Sequence, residues 1–419
     1  MTPTPEELYA QREQRFNDVV ALKQPDRVPI MPLYVHNFPT LIKGISNKDA
    51  GYDHETRWQS TKEATLRFGW NFAPTNDVLA SDFFAAYGNK QMMWAGEEGG
   101  LADDAPFQWV EDEYVKADEL AEFVADPNGF TFNKILPRMG SRLEGLGQIP
   151  LPPLYWFSNS YYLQVLGNML GIPPLKAALQ AMLDMAEAQE KTNAANGKYL
   201  QEMKALGYPP TWGAALMPAF DVVSDTFRSL RGSTLDMYRQ PDTLLQAIDV
   251  MQDATIGLLH AAYAVTGIPR QFIPMHKGAG GFMSDQQFAK FYWPTFKALI
   301  EECVAAGITP MPLFEGDYTP RLKYLAELPP GVVAAHFDRT DRKAFKEMCG
   351  HNLCFWGDVP GSLMVTGNPG EVKDYVKGLI EDFSDTGGLI IDGANSITEE
   401  AKPENVMALR EAVDEYGVF

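Results

Sequence analysis

The chain has 419 residues, 45% hydrophobic and 21% charged, which is enough apolar material for a sizeable core. Its formal net charge of −20 argues against nucleic acid and against an anionic membrane surface as partners, because both select basic surface. Three cysteines (Cys303, Cys349, Cys354) form neither a disulfide framework nor a paired-thiolate spacing, the N-terminus lacks an apolar signal core, and no apolar run approaches the roughly 20 residues of a membrane span. The expectation is a soluble cytoplasmic enzyme, with a homodimer left open.

In chain order, the polar stretch 5–22 predicts a helix, and residues 1–24 read as a helical extension ahead of DRVPIMPLY, the first strand. Residues 55–67 predict a helix and NFAPTNDV a second strand. Residues 88–115 read as an antiparallel excursion whose strands are KQMMWAG and PFQWVEDEYV, inside a broader insertion near 85–170. A long helix follows over 174–206, apolar at three- and four-residue spacing. Then six short apolar runs, TWGAALMP, QFIPMH, ITPMPLF, VVAAHF, NLCFWG and GGLIID, come with helical stretches between most of them. Such alternation indicates a parallel sheet covered on both faces. Six runs and two earlier strands make eight, so the expected fold is an α/β (β/α)8 barrel forming one domain over 1–419. An open doubly wound sheet is the alternative; it usually carries a Gly-rich turn after its first strand, and VHNFPTLIKG is no such turn.

A (β/α)8 barrel works at the carboxyl ends of its strands, so the residue after each apolar run is informative. Those residues are His36 and Asn37, Asn76 and Asp77, His276, Glu315, His336, Asp358 and Asp392. Two imidazoles and a carboxylate suffice to hold zinc with an open position, which makes Glu315, His336 and His276 the candidate metal ligands; the bland alternative is strand-end side chains bonded to loops. Asp358, Asp317 and Asp77 are candidate acids. His36, Asn76, Trp156, Met217, Phe314, Tyr318, Phe337 and Trp356 are candidate substrate contacts; the alternative for Trp156, Phe314, Tyr318, Phe337 and Trp356 is that they only close the barrel top. His54 and His351 read as surface residues, and Cys303 as a packing residue inside a helix.

Three segments carry a family resemblance: GGFMSDQQFAKFYWPTFKALIEECVAAGITPMPLFEGD, FWGDVPGSLMVTGNPGEVKDYVKGLIEDF and GGLIIDGANSITEEAKPENVMALREAV. In this order they resemble the uroporphyrinogen decarboxylase superfamily; TWGAALMPAFDVVSDTFRSLRG and RVPIMPLY resemble its earlier segments. The resemblance implies a (β/α)8 barrel. True decarboxylases of the superfamily resemble one another in an arginine-rich motif after the first strand, whereas MPLYVHNFPTLIKG has no arginine there. Corrinoid-dependent methyltransferases acting on coenzyme M keep a His-x-Cys zinc pair where this chain has Leu313 and Glu315. The closest resemblance is to the O-demethylase methyltransferases, whose motif places a Glu and a His with twenty residues between them, as Glu315 and His336 stand here. The motif's upstream Glu has no good counterpart, because Glu301 is one residue too close, so His276 stands as the third ligand.

That resemblance implies a zinc enzyme moving methyl from a methoxylated aromatic to the corrinoid (cobalamin) of a separate corrinoid protein. A carboxylate in place of a thiolate suits activation of an ether oxygen. The rival readings are another methyl donor or acceptor (methylamine, thioether, tetrahydrofolate), a porphyrinogen decarboxylase, or a non-catalytic tetrapyrrole carrier.

Overall fold

The structure, a computed structural model, describes residues 3–75, 80–97, 99–148 and 159–419. Six strands run parallel and pair in sequence order: β3 (Ala214–Ala215), β4 (Arg270–Met275), β5 (Thr309–Phe314), β6 (Ala334–Phe337), β7 (Cys354–Trp356) and β8 (Leu389–Ile390). Two extended segments close the ring. Met31 donates its N–H to Ile391 O, and Ile391 donates to Pro29 O, which joins segment 28–33 to the end of β8. Asn71 donates its N–H to Ile30 O and accepts the Ile30 N–H on its side chain, which joins segment 71–75 to the first. Ala73 donates to Pro209 O and accepts from Thr211 N, which returns the ring to the residues ahead of β3. The architecture is therefore the expected (β/α)8 barrel, with the first two staves held by a few bonds each.

The expected excursion is also present, as β1 (Met92–Met93) paired antiparallel with β2 (Gln108–Trp109). The expected helices appear as Pro5–Val20, His54–Phe68 and Pro173–Ala205. Local chemistry fixes their ends: Thr4 caps the first in a reciprocal box with Glu7, and Pro5 sits where a missing N–H is harmless. Helix Pro369–Phe383 starts on an Asn368 cap and buries Val372, Val376, Leu379, Ile380 and Phe383 on one face. Among the described residues no helix is long and apolar enough to cross a membrane. His54 departs from its surface reading. It is buried, with its Nε2 3.2 Å from Asp82 Oδ1 and 3.3 Å from the Thr192 hydroxyl.

Successive strand residues face opposite ways, so the barrel has two cores. Met31, Leu33, Phe72, Phe272, Met311, Leu313, Ala334, Cys354, Trp356 and Ile390 fill the interior. Ile273, Met275, Phe314, Ala335, Phe337 and Phe355 face the surrounding helices. The first helix seals the floor. Its Phe16, Val19 and Val20 join the interior cluster, Phe16 meeting Phe72 edge-on at 5.6 Å. Its Glu13 binds both Nη atoms of Arg270, at 2.6 and 3.0 Å, at the start of β4. Phe16→Ala is expected to lower the unfolding free energy by about 3–5 kcal/mol through the cavity it leaves; a denaturant titration measures this.

Candidate active site at the barrel mouth

The register that closes the barrel also builds the site. Met275 pairs with Phe314, Phe314 with Phe337, His336 with Trp356, and Trp356 with Ile390. Continued past the strand ends, this register sets His276, Glu315, Asp338, Asp358 and Asp392 side by side on five adjacent staves, and the Val359–Gly393 bridge extends it. Each follows an interior-facing position of its strand by two residues.

His276 is the most constrained member. Its Nδ1 is bonded to Asp225, and its Nε2 lies 3.6 Å from Glu315 Oε1. Asp225 comes from a π-helical turn, Val222–Arg228, and also meets Lys277 Nζ at 3.0 Å. Asp221, one turn earlier and fully buried, anchors the same loop by accepting the His276 and Lys277 N–H groups and the Tyr292 hydroxyl. Burial pulls the His276 imidazole down, yet the Asp225 bond and the Glu315 and Asp221 charges lift it to about 9. Burial raises Asp221 to about 6 against the opposing charge of His276. Burial also pushes Asp225 up, but its His276 bond and the charges of His276 and Lys277 outweigh this and hold it below the usual carboxylate range. Glu315 is raised by burial, with His276 opposing and Asp338 adding to the rise.

The remaining carboxylates have separate partners. Asp392 is fully buried and accepts from His336 Nε2 (3.0 Å), Leu33 N (2.8 Å) and Gly393 N (2.7 Å). Asp358 accepts from the Tyr375 hydroxyl at 2.9 Å and is raised by burial against the charge of Arg342. Asp338 accepts from Gly316 N at 3.0 Å. Tyr34 is within electrostatic reach of three of them: burial and the charges of Glu315, Asp392 and Asp338 raise its phenol well above the ordinary value. The Tyr34 ring stands 4.6 Å from His36, which in turn lies 6.4 Å from Phe107, so an aromatic shelf borders the acidic ring. Burial pushes His36 down to about 4, so it is neutral at physiological pH.

The structure brings Glu315 and His276 together but gives His336 a different neighbour. In the ladder His336 pairs with Leu313, one layer below Glu315, and its Nε2 is taken by Asp392. Among the described residues no three His, Cys, Asp or Glu side chains are grouped to hold a metal ion. The donors present therefore do not fit the expected zinc set of Glu315, His336 and His276. Of the expected acids, Asp358 is in the ring, whereas Asp317 is exposed and caps a turn by accepting from Thr319 N. Phe314, Phe337 and Tyr318 are fully buried in the outer core, and Trp356 fills the interior with its Nε1 donating to Met31 O. The reason is parity, since neighbours on a strand point to opposite faces and Phe314 cannot share the face of Glu315. His36 and Met217, both half-buried, follow the first stave and β3. Asn76, Asp77 and Trp156 lie outside the described residues.

Sequence reasoning missed Tyr34, Asp221, Asp225 and Asp338. Two signals were available: Asp338 follows His336 by two residues, the strand period, and Asp221 and Asp225 are four apart in PAFDVVSDTF, the helical period.

Residues 213–416 match the uroporphyrinogen decarboxylase family model. This stretch carries β3 to β8 and all five ring positions. No curated protein matches the chain. Among solved structures, the methyltransferase from Methanosarcina mazei is similar at 16% identity and a TM-score of 0.62, over 97% of this chain and 98% of that one. Both matches agree with the (β/α)8 barrel seen here.

Two measurements probe the ring. In chelator-treated protein, the His276 imidazole is expected to titrate near pH 9 by NMR, and Asp225→Asn to lower that midpoint. Because its folded value lies above the ordinary 6.5, the stability it contributes is complete below 6.5 and lost as pH rises through about 9. His336→Ala is expected to cost about 1–3 kcal/mol, since Asp392 loses one partner and keeps two backbone donors. It should also leave zinc content at the wild-type level, which metal analysis checks.

Proposed function

We propose that the chain is a methyltransferase that removes the methyl group of a methoxylated aromatic and delivers it to the corrinoid of a separate protein. The observation that carries the reading is His276, bonded to Asp225 on one side and facing Glu315 on the other, at the mouth of the barrel. Demethylation of an aryl ether breaks the methyl carbon–oxygen bond and sends its electron pair to oxygen. The resulting phenolate has a conjugate acid of pKa about 10 and is a poor leaving group unless it is protonated. An imidazolium that persists to about pH 9 is suited to give that proton, and Asp225 fixes which nitrogen faces the substrate. Tyr34, His36 and Phe107 offer a shelf for the aromatic ring.

The corrinoid supplies the nucleophile that accepts the methyl group. It belongs to another polypeptide in this proposal, since the chain has no Asp-x-His-x-x-Gly corrinoid signature. The methyltransferase of similar fold makes methyl transfer the chemistry to test first. No step is routed through zinc, because the described donors do not assemble a site for it.

Decarboxylation of a porphyrinogen fits less well. Four of the five ring positions are acids, and the nearby Lys277 is already paired with Asp225, so a polyanionic substrate meets repulsion. The same four carboxylates favour one second reading, a cationic methylated amine as donor.

The test is turnover with a reduced corrinoid protein and a panel of methoxyarenes and methylated amines. Phenol release is expected, and His276→Ala should reduce it by at least about 100-fold, the contribution of a positioned acid. Turnover confined to amines would select the second reading. Carbon dioxide release from a porphyrinogen, or tight tetrapyrrole binding without turnover, would overturn methyl transfer.

A further inference from the structure

The ring borders a second cavity. Asp358, its member on the β7 stave, also lines a cavity of about 460 Å³ lying past the strand ends of β6 and β7. This cavity gathers Arg342, Lys343 and Lys346 along one helix, Arg342–Cys349, together with the carboxylates of Asp341, Asp358 and Asp382.

The carboxylates on its wall are largely committed. Asp341 accepts from Ala344 N at 2.8 Å and caps the helix. Asp382 pairs with Arg342 Nε at 3.0 Å. Asp358 accepts the Tyr375 hydroxyl, and burial pushes it toward its neutral form. The cations are only partly matched. Lys343 is exposed and has no carboxylate within ion-pair distance among the described residues. Arg342 Nη1 is shielded from solvent, has no hydrogen-bond partner, and lies 3.9 Å from Asp358. An unpaired guanidinium N–H away from water costs free energy that an anion would recover. Lys346 is occupied by Asp385 at 2.8 Å and the Asp382 carbonyl, and Arg342 by Asp382 through its Nε alone.

We infer that this cavity is an anion subsite, taking a carboxylate or phosphate group on Arg342 and Lys343 while the rest of the ligand reaches past Asp358 toward the ring. Arg342 presents a planar fork suited to either oxyanion, and the Tyr375 ring 5.3 Å from its guanidinium helps hold that fork in place. A single anionic group fits here although a polyanion is repelled in the ring, because it meets Arg342 and Lys343 and only one ring carboxylate, Asp358, which is itself bonded to Tyr375. The inference does not depend on methyl transfer; it concerns what the cavity binds, whatever happens at His276.

Calorimetric titration of the full chain with inorganic phosphate, and separately with benzoate, tests it. At least one anion is expected to bind at a single site, weakened roughly tenfold or more in Arg342→Gln and in Lys343→Gln, the loss of one charge-assisted contact. Lys343→Gln keeps the test decisive, because an exposed side chain without an ion partner can be changed without unfolding the chain. His276→Ala should bind as wild type does. A preference for phosphate would point to a phosphorylated ligand, and a preference for benzoate to an aromatic acid. Absence of heat with both anions at tens of millimolar would overturn the assignment, as would binding indifferent to both substitutions.

Discussion

Four carboxylates and an imidazole share one level of a parallel barrel whose neighbouring strands lie about 4.8 Å apart. Like charges at that spacing cannot all stay ionised unless each has its own partner. The surrounding structure is arranged around this requirement. Asp392 turns inward to His336 and two backbone donors, Asp358 sideways to Tyr375, Asp338 to the Gly316 N–H, and Glu315 to His276. The result is uneven proton affinity within a small volume: His276 is lifted to about 9, Asp221 sits near 6, and Asp225 is held low. Groups so separated can divide acid and base roles, which identical exposed carboxylates cannot.

Rigidity under the ring comes from packing. Phe314, Phe337, Phe355 and Phe383 stack in succession, with centroids 4.9, 5.4 and 4.7 Å apart, across β5, β6 and β7 to helix Pro369–Phe383. Inside the barrel, Trp356 lies 5.0 Å from the His336 ring and ties β7 to the first stave through Met31. The strand ends that carry Glu315, Asp338 and Asp358 are thus braced from both faces, and ordering at the mouth need not come from the loops alone.

Much of this was legible in the sequence. Continuous apolar runs at regular intervals mark buried parallel strands, and the residue ending each run marked the mouth, which is how His276, Glu315, Asp358 and Asp392 were found. What failed was finer than one residue. VVAAHF suggested His336 as the end of its strand, whereas the ladder pairs it with Leu313 and leaves Asp338 level with Glu315. Register between strands far apart in sequence is set by closure of the barrel, and a run of apolar residues does not encode it. Phe314 and Phe337 were misplaced because a run buried on both faces has no alternation to reveal parity. Asp225 was missed because its partner lies 51 residues away and its own segment reads as an ordinary helix start.

The sealed floor has a consequence for traffic. With Phe16, Val19 and Val20 wedged among the strand bases and Glu13 locked to Arg270, nothing crosses the barrel from end to end. Whatever enters at the rim must leave by the rim. Arrival of a large second reactant at the rim would then cover the exit of a small one already inside, so the two would exchange there by turns.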